Sequence, residues 1–137
     1  MRSDEKVAGL DACAVESVHP EKVQLVRDAT LPEADLLRAS AMFKLLGDPT
    51  RSRLLYALLE AGELCVSDLA AATDTQETTV SQALRMLRAS GVVAGRREAR
   101  LVYYRLADAH VRMLLDLTRE HIGHGTGPSR AAVGTGS

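Results

Sequence analysis

The chain changes its hydrophobic period at one place, and that place constrains the fold more than any other feature. Residues 76–90, "QETTVSQALRMLRAS", carry Val80, Leu84 and Leu87 at helical spacing, with polar side chains on the other face. After Gly91 the alternation becomes two. "VVAGRREARLVYYRL" reads as two strands joined by a charged turn near residues 96–100. A helix and a basic hairpin thus follow each other with only a glycine between them.

Upstream the pattern is helical and well punctuated. "PEADLLRASAMFKLLGD" begins at Pro32, places Leu36, Leu37, Ala41, Met42 and Leu45 at helical intervals, and ends near Gly47. Asp48 and Pro49 restart a helix as N-cap and first helical residue. "PTRSRLLYALLEAG" then runs to Gly62, and "ELCVSDLAAATD" holds a short helix over 66–72. Asp74 with Glu77 three residues on looks like a capping-box start for the next helix. Two helices at 66–72 and 76–90, a short turn apart, make a helix-turn-helix candidate. The hairpin after them makes it a winged helix. The expected fold is mainly α with a small β-hairpin, the second helix entering the DNA major groove and the wing reaching along the backbone.

At 137 residues and 46% hydrophobic, the chain is one domain of ordinary size with material for a core. Aromatics are only 3%, so Leu, Val and Ala must fill it. Residues 1–30 read as a flexible arm with a helical turn or two after Pro20, 31–124 as the DNA-binding and dimerisation domain, and "GTGPSRAAVGTGS" at 125–137 as a disordered tail. No apolar run is long enough to span a bilayer, and the first residues lack the apolar centre of a signal peptide. Two cysteines, Cys13 and Cys65, do not make a disulfide scaffold. The expectation is a cytoplasmic protein with reduced thiols and no membrane partner.

A net charge of −1 argues against a generally sticky nucleic-acid binder, but its distribution is uneven. Residues 76–107 hold six Arg (85, 88, 96, 97, 100 and 105) against two Glu, while the remainder is acidic. One basic island in an acidic chain fits local phosphate contact. On the 76–90 helix the expected base-reading residues are Thr79, Ser81, Gln82 and Arg85, with Gln82 suited to adenine and Arg85 to guanine or phosphate. In the wing, Arg97 and Arg100 are expected phosphate contacts. An ordinary polar helix face is the bland alternative for each, and the helix-plus-wing context weighs against it.

The closing stretch, "DAHVRMLLDLTREHIGH" at 108–124, holds three of the four histidines. A helix turns about 100° and rises about 1.5 Å per residue, so His110 and His121 fall within about 20° of each other but about 16 Å apart. His124 lies beside His121 on the neighbouring surface. His110 therefore cannot meet the other two within one helix, whereas a second copy laid antiparallel would bring them opposite it. Met113, Leu114 and Leu117 lie between on the same face and would form the dry seam. The expectation is a homodimer helix with a polar site at each end.

"LGDPTRSRLLYALLEAGELCVSDLA", "TTVSQALRMLRASGVV" and "LVYYRLADAHV", in that order, resemble the ArsR/SmtB family of metal-sensing repressors. The likeness covers roughly residues 35–124. It implies a homodimeric winged helix, not an enzyme, that binds double-stranded operator DNA when metal-free and releases it when metal binds. In the zinc- and cobalt-responsive branch the last helix carries Asp-x-His, ten residues, then His-x-x-His, matched here by Asp108, His110, His121 and His124. One oxygen and three nitrogens suit tetrahedral zinc or cobalt, while nickel would want further ligands. The resemblance implies a second site as well, formed by Cys65 and Asp68 with Cys13 and His19 of the partner's arm. Cys65 and Asp68, three residues apart, would share a helix face. Where the family has Gly before the wing arginine, this chain has Ala99.

Two rivals stand beside this reading. A repressor of the same fold could sense thiol oxidation, or another metal, at Cys65. A small metalloenzyme could use the Asp/His cluster, but four protein ligands close a tetrahedral site and leave no position for water.

Overall fold

The structure is a computed structural model that describes residues 16–125, the side chain of His124 excepted. The tail beyond 125 and the first half of the expected arm, residues 1–15, lie outside the described residues. Contacts divide the chain into two units, Met1–Ser40 and Ala41–Ser137.

The first unit holds α1 (Pro20–Ala29) and the beginning of α2 (Glu33–Leu46). Proline at the first position, Glu21 in the first turn and Arg27 in the last all favour α1 as a helix. It is longer than the turn or two expected from sequence, and none of its residues is buried. Gln24 donates to Asp28 at 2.8 Å one turn on, the side-chain pairing that supports an exposed helix.

The second unit carries the rest: α3 (Pro49–Ala61), β1 (Leu64–Cys65), α4 (Val66–Thr73), α5 (Glu77–Ala89), β2 (Val93–Glu98), β3 (Leu101–Leu106) and α6 (Ala109–Gly125). Asp48 caps α3 as expected, its carboxylate accepting from the Arg51 N–H at 3.0 Å. Gly62, at φ 90, ends that helix with its N–H on the Leu58 carbonyl. Gly91, at φ 77, ends α5: its N–H reaches the Arg88 carbonyl and that of Val92 the Leu87 carbonyl, a Schellman closure that turns the chain into β2.

Two local readings need correction. Asp74 does not start α5. It ends α4 in the left-handed conformation (φ 54, ψ 47), and the Thr75 N–H reaches back to the Ala70 carbonyl at 3.0 Å. An Asp side chain tolerates that conformation where a helix must stop, and the stop uses the residue the capping box needed. Gln76 stands at the N-cap of α5 with no side-chain cap bond. The second correction is β1, which two residues could not announce by any period. It joins the hairpin as a third antiparallel strand in the order β1-β3-β2, with Leu64 opposite Tyr104 and Cys65 opposite Tyr103.

One core serves all these elements. Leu54, Leu55 and Leu58 of α3, Leu69 of α4, Val80, Leu84 and Leu87 of α5, Val92 and Val93 after it, and Val111 and Leu115 of α6 are buried together. Val80, Ala83, Leu84 and Leu87 form one stripe of α5, so the opposite stripe is left to solvent. α6 is pinned by Val111 and Leu115 from beneath and by the Tyr56 hydroxyl, which donates to the Leu115 carbonyl at 2.8 Å.

Candidate nucleic-acid interface and metal-ligand positions

α4 and α5 are joined by three residues, 74–76, and α5 is followed directly by the β2–β3 hairpin. Burying Val80, Ala83, Leu84 and Leu87 turns Thr79, Ser81, Gln82 and Arg85 outward, and all four are exposed. Ser81, Arg85 and Arg88 line an open groove of about 430 Å³ together with Tyr104 of β3. Its two arginines make it positive, as a backbone phosphate would require. On another face of the helix, Thr79 and Gln82 line a smaller hollow with Asp48 and Arg51.

The wing turn is two residues long, Ala99 and Arg100, between Glu98 and its partner Leu101. Ala99 adopts φ 57, whereas Arg100 is not among the positive-φ residues. Positive φ at the first turn position only is the pattern of a II′ hairpin, which prefers glycine there. Arg97 and Arg100 are exposed and make no ion pair among the described residues. Arg96 differs: it is bound to Glu63 and Glu98. Sequence reading could count it in the basic island but had no signal for a partner 33 residues away.

The residues matched here are those of a known regulator family. Residues 48–94 fit the model of the bacterial regulatory protein, arsR family. The chain is 37% identical over 106 residues to a cadmium resistance transcriptional regulatory protein CadC homolog of Staphylococcus aureus, covering 77% of this chain and 87% of that one. It is 41% identical over 110 residues to a transcriptional repressor SmtB homolog of Synechocystis sp., covering 80% and 83%. The chain belongs to the ArsR family. The fold of this ArsR-family regulator agrees: it matches the homodimeric winged helix-turn-helix DNA-binding domain of a Mycobacterium bovis protein with TM-score 0.59 and 34% identity, over 70% of this chain and 94% of that one. It is therefore a winged-helix transcriptional regulator and not an enzyme. No helix among its described residues is long and apolar enough to cross a membrane.

The expected metal ligands of this ArsR-family chain fall into separate places. Asp108 caps α6: its Oδ1 accepts from the N–H of His110 at 2.7 Å and of Val111 at 3.2 Å. The His110 Nδ1 lies 3.2 Å from the same oxygen. The N–H of Val111, then that of His110, hold the Asp108 carboxyl below its usual range, so it stays ionised. Zinc–oxygen and zinc–nitrogen distances of about 2.0–2.1 Å give a tetrahedral edge of roughly 3.3 Å, so an Asp108–His110 pair at this spacing suits two ligands of one ion. His121 lies three turns further along α6 and is exposed, and the His124 side chain lies outside the described residues. Among the described residues no three His, Cys, Asp or Glu side chains converge to hold an ion.

The second set is also scattered. Cys65 is 5% exposed at the end of β1, whereas Asp68 is exposed on α4. Cys65 precedes α4 as its N-cap with extended backbone (φ −83, ψ 173), so helical spacing does not place it on a common helix face with Asp68. Its thiol meets the Ser67 hydroxyl at 3.4 Å. His19 stands at the N-cap of α1 in the first unit, and Cys13 lies outside the described residues.

Proposed function

We propose that this regulator is a metal-responsive repressor that acts as a homodimer. The metal-free dimer holds double-stranded operator DNA and lets go when a divalent metal, zinc foremost with cobalt or nickel next, binds between two α6 helices. The observation that carries this reading is the outward stripe of α6. Val111 and Leu115 face the core, which leaves His110, Met113, Leu114, Leu117 and His121 on the free side. Met113 and Leu117 are each 59% exposed, an apolar surface a monomer has no use for. The stripe continues into a hollow of about 340 Å³ lined by Phe43, Leu46, Tyr56, Leu114 and Leu115. A second α6 laid antiparallel would cover it and bring His121 and His124 of the second copy to Asp108 and His110 of the first. Metal response is further supported by the cadmium-resistance regulator and the SmtB homolog among the relatives.

Release then follows from geometry. Tying the two ends of the α6 pair sets the angle between protomers, and with it the spacing of the two α5 helices. Operator half-sites demand a spacing near one helical turn, about 34 Å. Coupling is reciprocal, so DNA must weaken metal binding by the factor that metal weakens DNA binding. His121 can ligate through one nitrogen and use its other N–H to reach backbone near Gln82, as ligand imidazoles commonly do. The Cys13, His19, Cys65 and Asp68 set would be auxiliary. A repressor sensing oxidation at Cys65 is disfavoured by that thiol's burial.

The test is a pair of variants, Cys65→Ser and His121→Ala, titrated with zinc against a fluorescent operator. Cys65→Ser should still release DNA and His121→Ala should stay bound. The opposite outcome would move the sensing site to Cys65.

A further inference from the structure

The seam between β1 and the hairpin is short, since β1 offers only two residues to β3. Across that seam runs a cluster the DNA contacts do not use. Tyr103 of β3 is paired with Cys65 on one side and with Arg96 of β2 on the other, so three side chains stand in one row on one face of the sheet. The Arg96 guanidinium lies over the Tyr103 ring, 5.0 Å from its centroid. It crosses β3 to Glu63, just ahead of β1. Its Nε lies 3.0 and 2.9 Å from the two carboxylate oxygens, and its Nη2 is 2.9 Å from Oε1. Nη1 turns back to Glu98 of its own strand at 2.6 Å. The guanidinium is thus engaged through all three of its nitrogens.

An isolated exposed ion pair contributes little, because two long side chains must be ordered in water. This one differs in kind: the fork is bidentate, seated on an aromatic ring and shared by two carboxylates. Donation from Arg96 holds the Glu63 carboxyl below its usual range. Period two puts Arg97 on the opposite face of the wing, where it is exposed and unpaired among the described residues.

We infer that Glu63 and Arg96 form a cross-sheet clamp that sets the tilt of the wing against α5. Both are positioning residues for DNA binding, and neither touches DNA. Arg97 and Arg100 reach phosphates only if the hairpin is held at the angle that lets α5 sit in the groove at the same time. The clamp supplies that angle where β1 is too short to do so. The inference rests on the DNA-binding reading.

The sign of one substitution separates the clamp from plain electrostatics. Glu63→Gln removes a negative charge beside a DNA-binding wing. Were Arg96 a phosphate contact restrained by Glu63, the change would tighten binding. A clamp requires that it loosen. Duplexes selected from a random pool by the wild-type protein would be titrated by fluorescence anisotropy at several salt concentrations, with chelator present. Glu63→Gln and Arg96→Gln should each weaken binding by roughly fivefold at every salt, the scale of one net hydrogen bond. Their salt slopes should equal that of wild type, and the double variant should be no weaker than either single one. Tighter binding by Glu63→Gln, or an Arg96→Gln slope lower by about 0.9, the loss of one phosphate contact, overturns the inference. Amide exchange at residues 97–101 provides a reading free of DNA. It should speed up in Glu63→Gln, and unchanged exchange overturns the clamp. A wild-type protein that selects no duplex strikes at the DNA reading instead, and the exchange measurement then decides the clamp alone.

Discussion

Ala99→Gly should stabilise this protein, although it removes a side-chain carbon and adds nothing. Ala99 sits at φ 57 in the two-residue turn of the wing and is exposed, so no packing is lost with its methyl group. Holding a residue with a Cβ in the left-handed region costs about 1–2 kcal/mol, which glycine avoids. Glycine in turn loses more backbone freedom on folding, about 0.5–1 kcal/mol relative to alanine. The difference leaves a net gain of about 0.5–1 kcal/mol. For a domain of this size that raises the melting temperature by roughly 2–6 °C. The assay is a thermal melt followed by circular dichroism at one fixed protein concentration, with chelator present, since association would otherwise shift the midpoint. Ala99→Val serves as the counter-variant and should melt below wild type, because a β-branched side chain is worse still at positive φ. A glycine variant that melts several degrees below wild type would refute the reasoning, since residue 99 could not then be left-handed in solution.

Further outcomes follow from other parts of the structure. Leu117→Glu places a charge in the middle of the exposed α6 stripe and should split the dimer, with operator binding lost; sedimentation of the metal-free protein checks it, and a monomeric variant that still binds tightly would contradict the dimer reading. Arg100→Ala should weaken all DNA sequences alike and lower the salt slope by about 0.9. Arg85→Ala, if this side chain reads a base, should relax preference at one position of each half-site, seen by competition among selected duplexes. Asp108→Ala should lower the melting temperature at neutral pH. The Asp108 carboxyl is held below its usual range, so its contribution is fully present above the unfolded value and is lost as pH falls through the lowered one. Melts of the two proteins should therefore converge in acid, and a gap that persists there would show that capping is not the cause.

Much of the chain was legible because local chemistry and tertiary need agreed. Asp48, Pro49, Gly62 and Gly91 mark helix ends by properties each carries alone: a short acceptor, a preset φ, a missing Cβ. The α5 stripe of Val80, Leu84 and Leu87 told in advance which face was inside, and therefore that Thr79, Ser81, Gln82 and Arg85 were outside. Asp74 is the informative failure. Its residue type permits both a helix start and a helix stop, and only the return of the Thr75 N–H to Ala70 settles which.

What sequence determined by itself, then, is the set of elements and their polarity, because period, caps and glycines act over four or five residues. Contacts between residues far apart in the chain were left to tertiary structure. β1 is too short to have a period and exists because β3 offers it an edge. Cys65 is buried because that strand carries it inward, although three-residue spacing alone would pair it with Asp68. Arg96 looked like one more cation in a basic island until the sheet brought Glu63 across Tyr103 to meet it. The sign of a charge is written in one residue, but the partner that neutralises it is chosen by the fold.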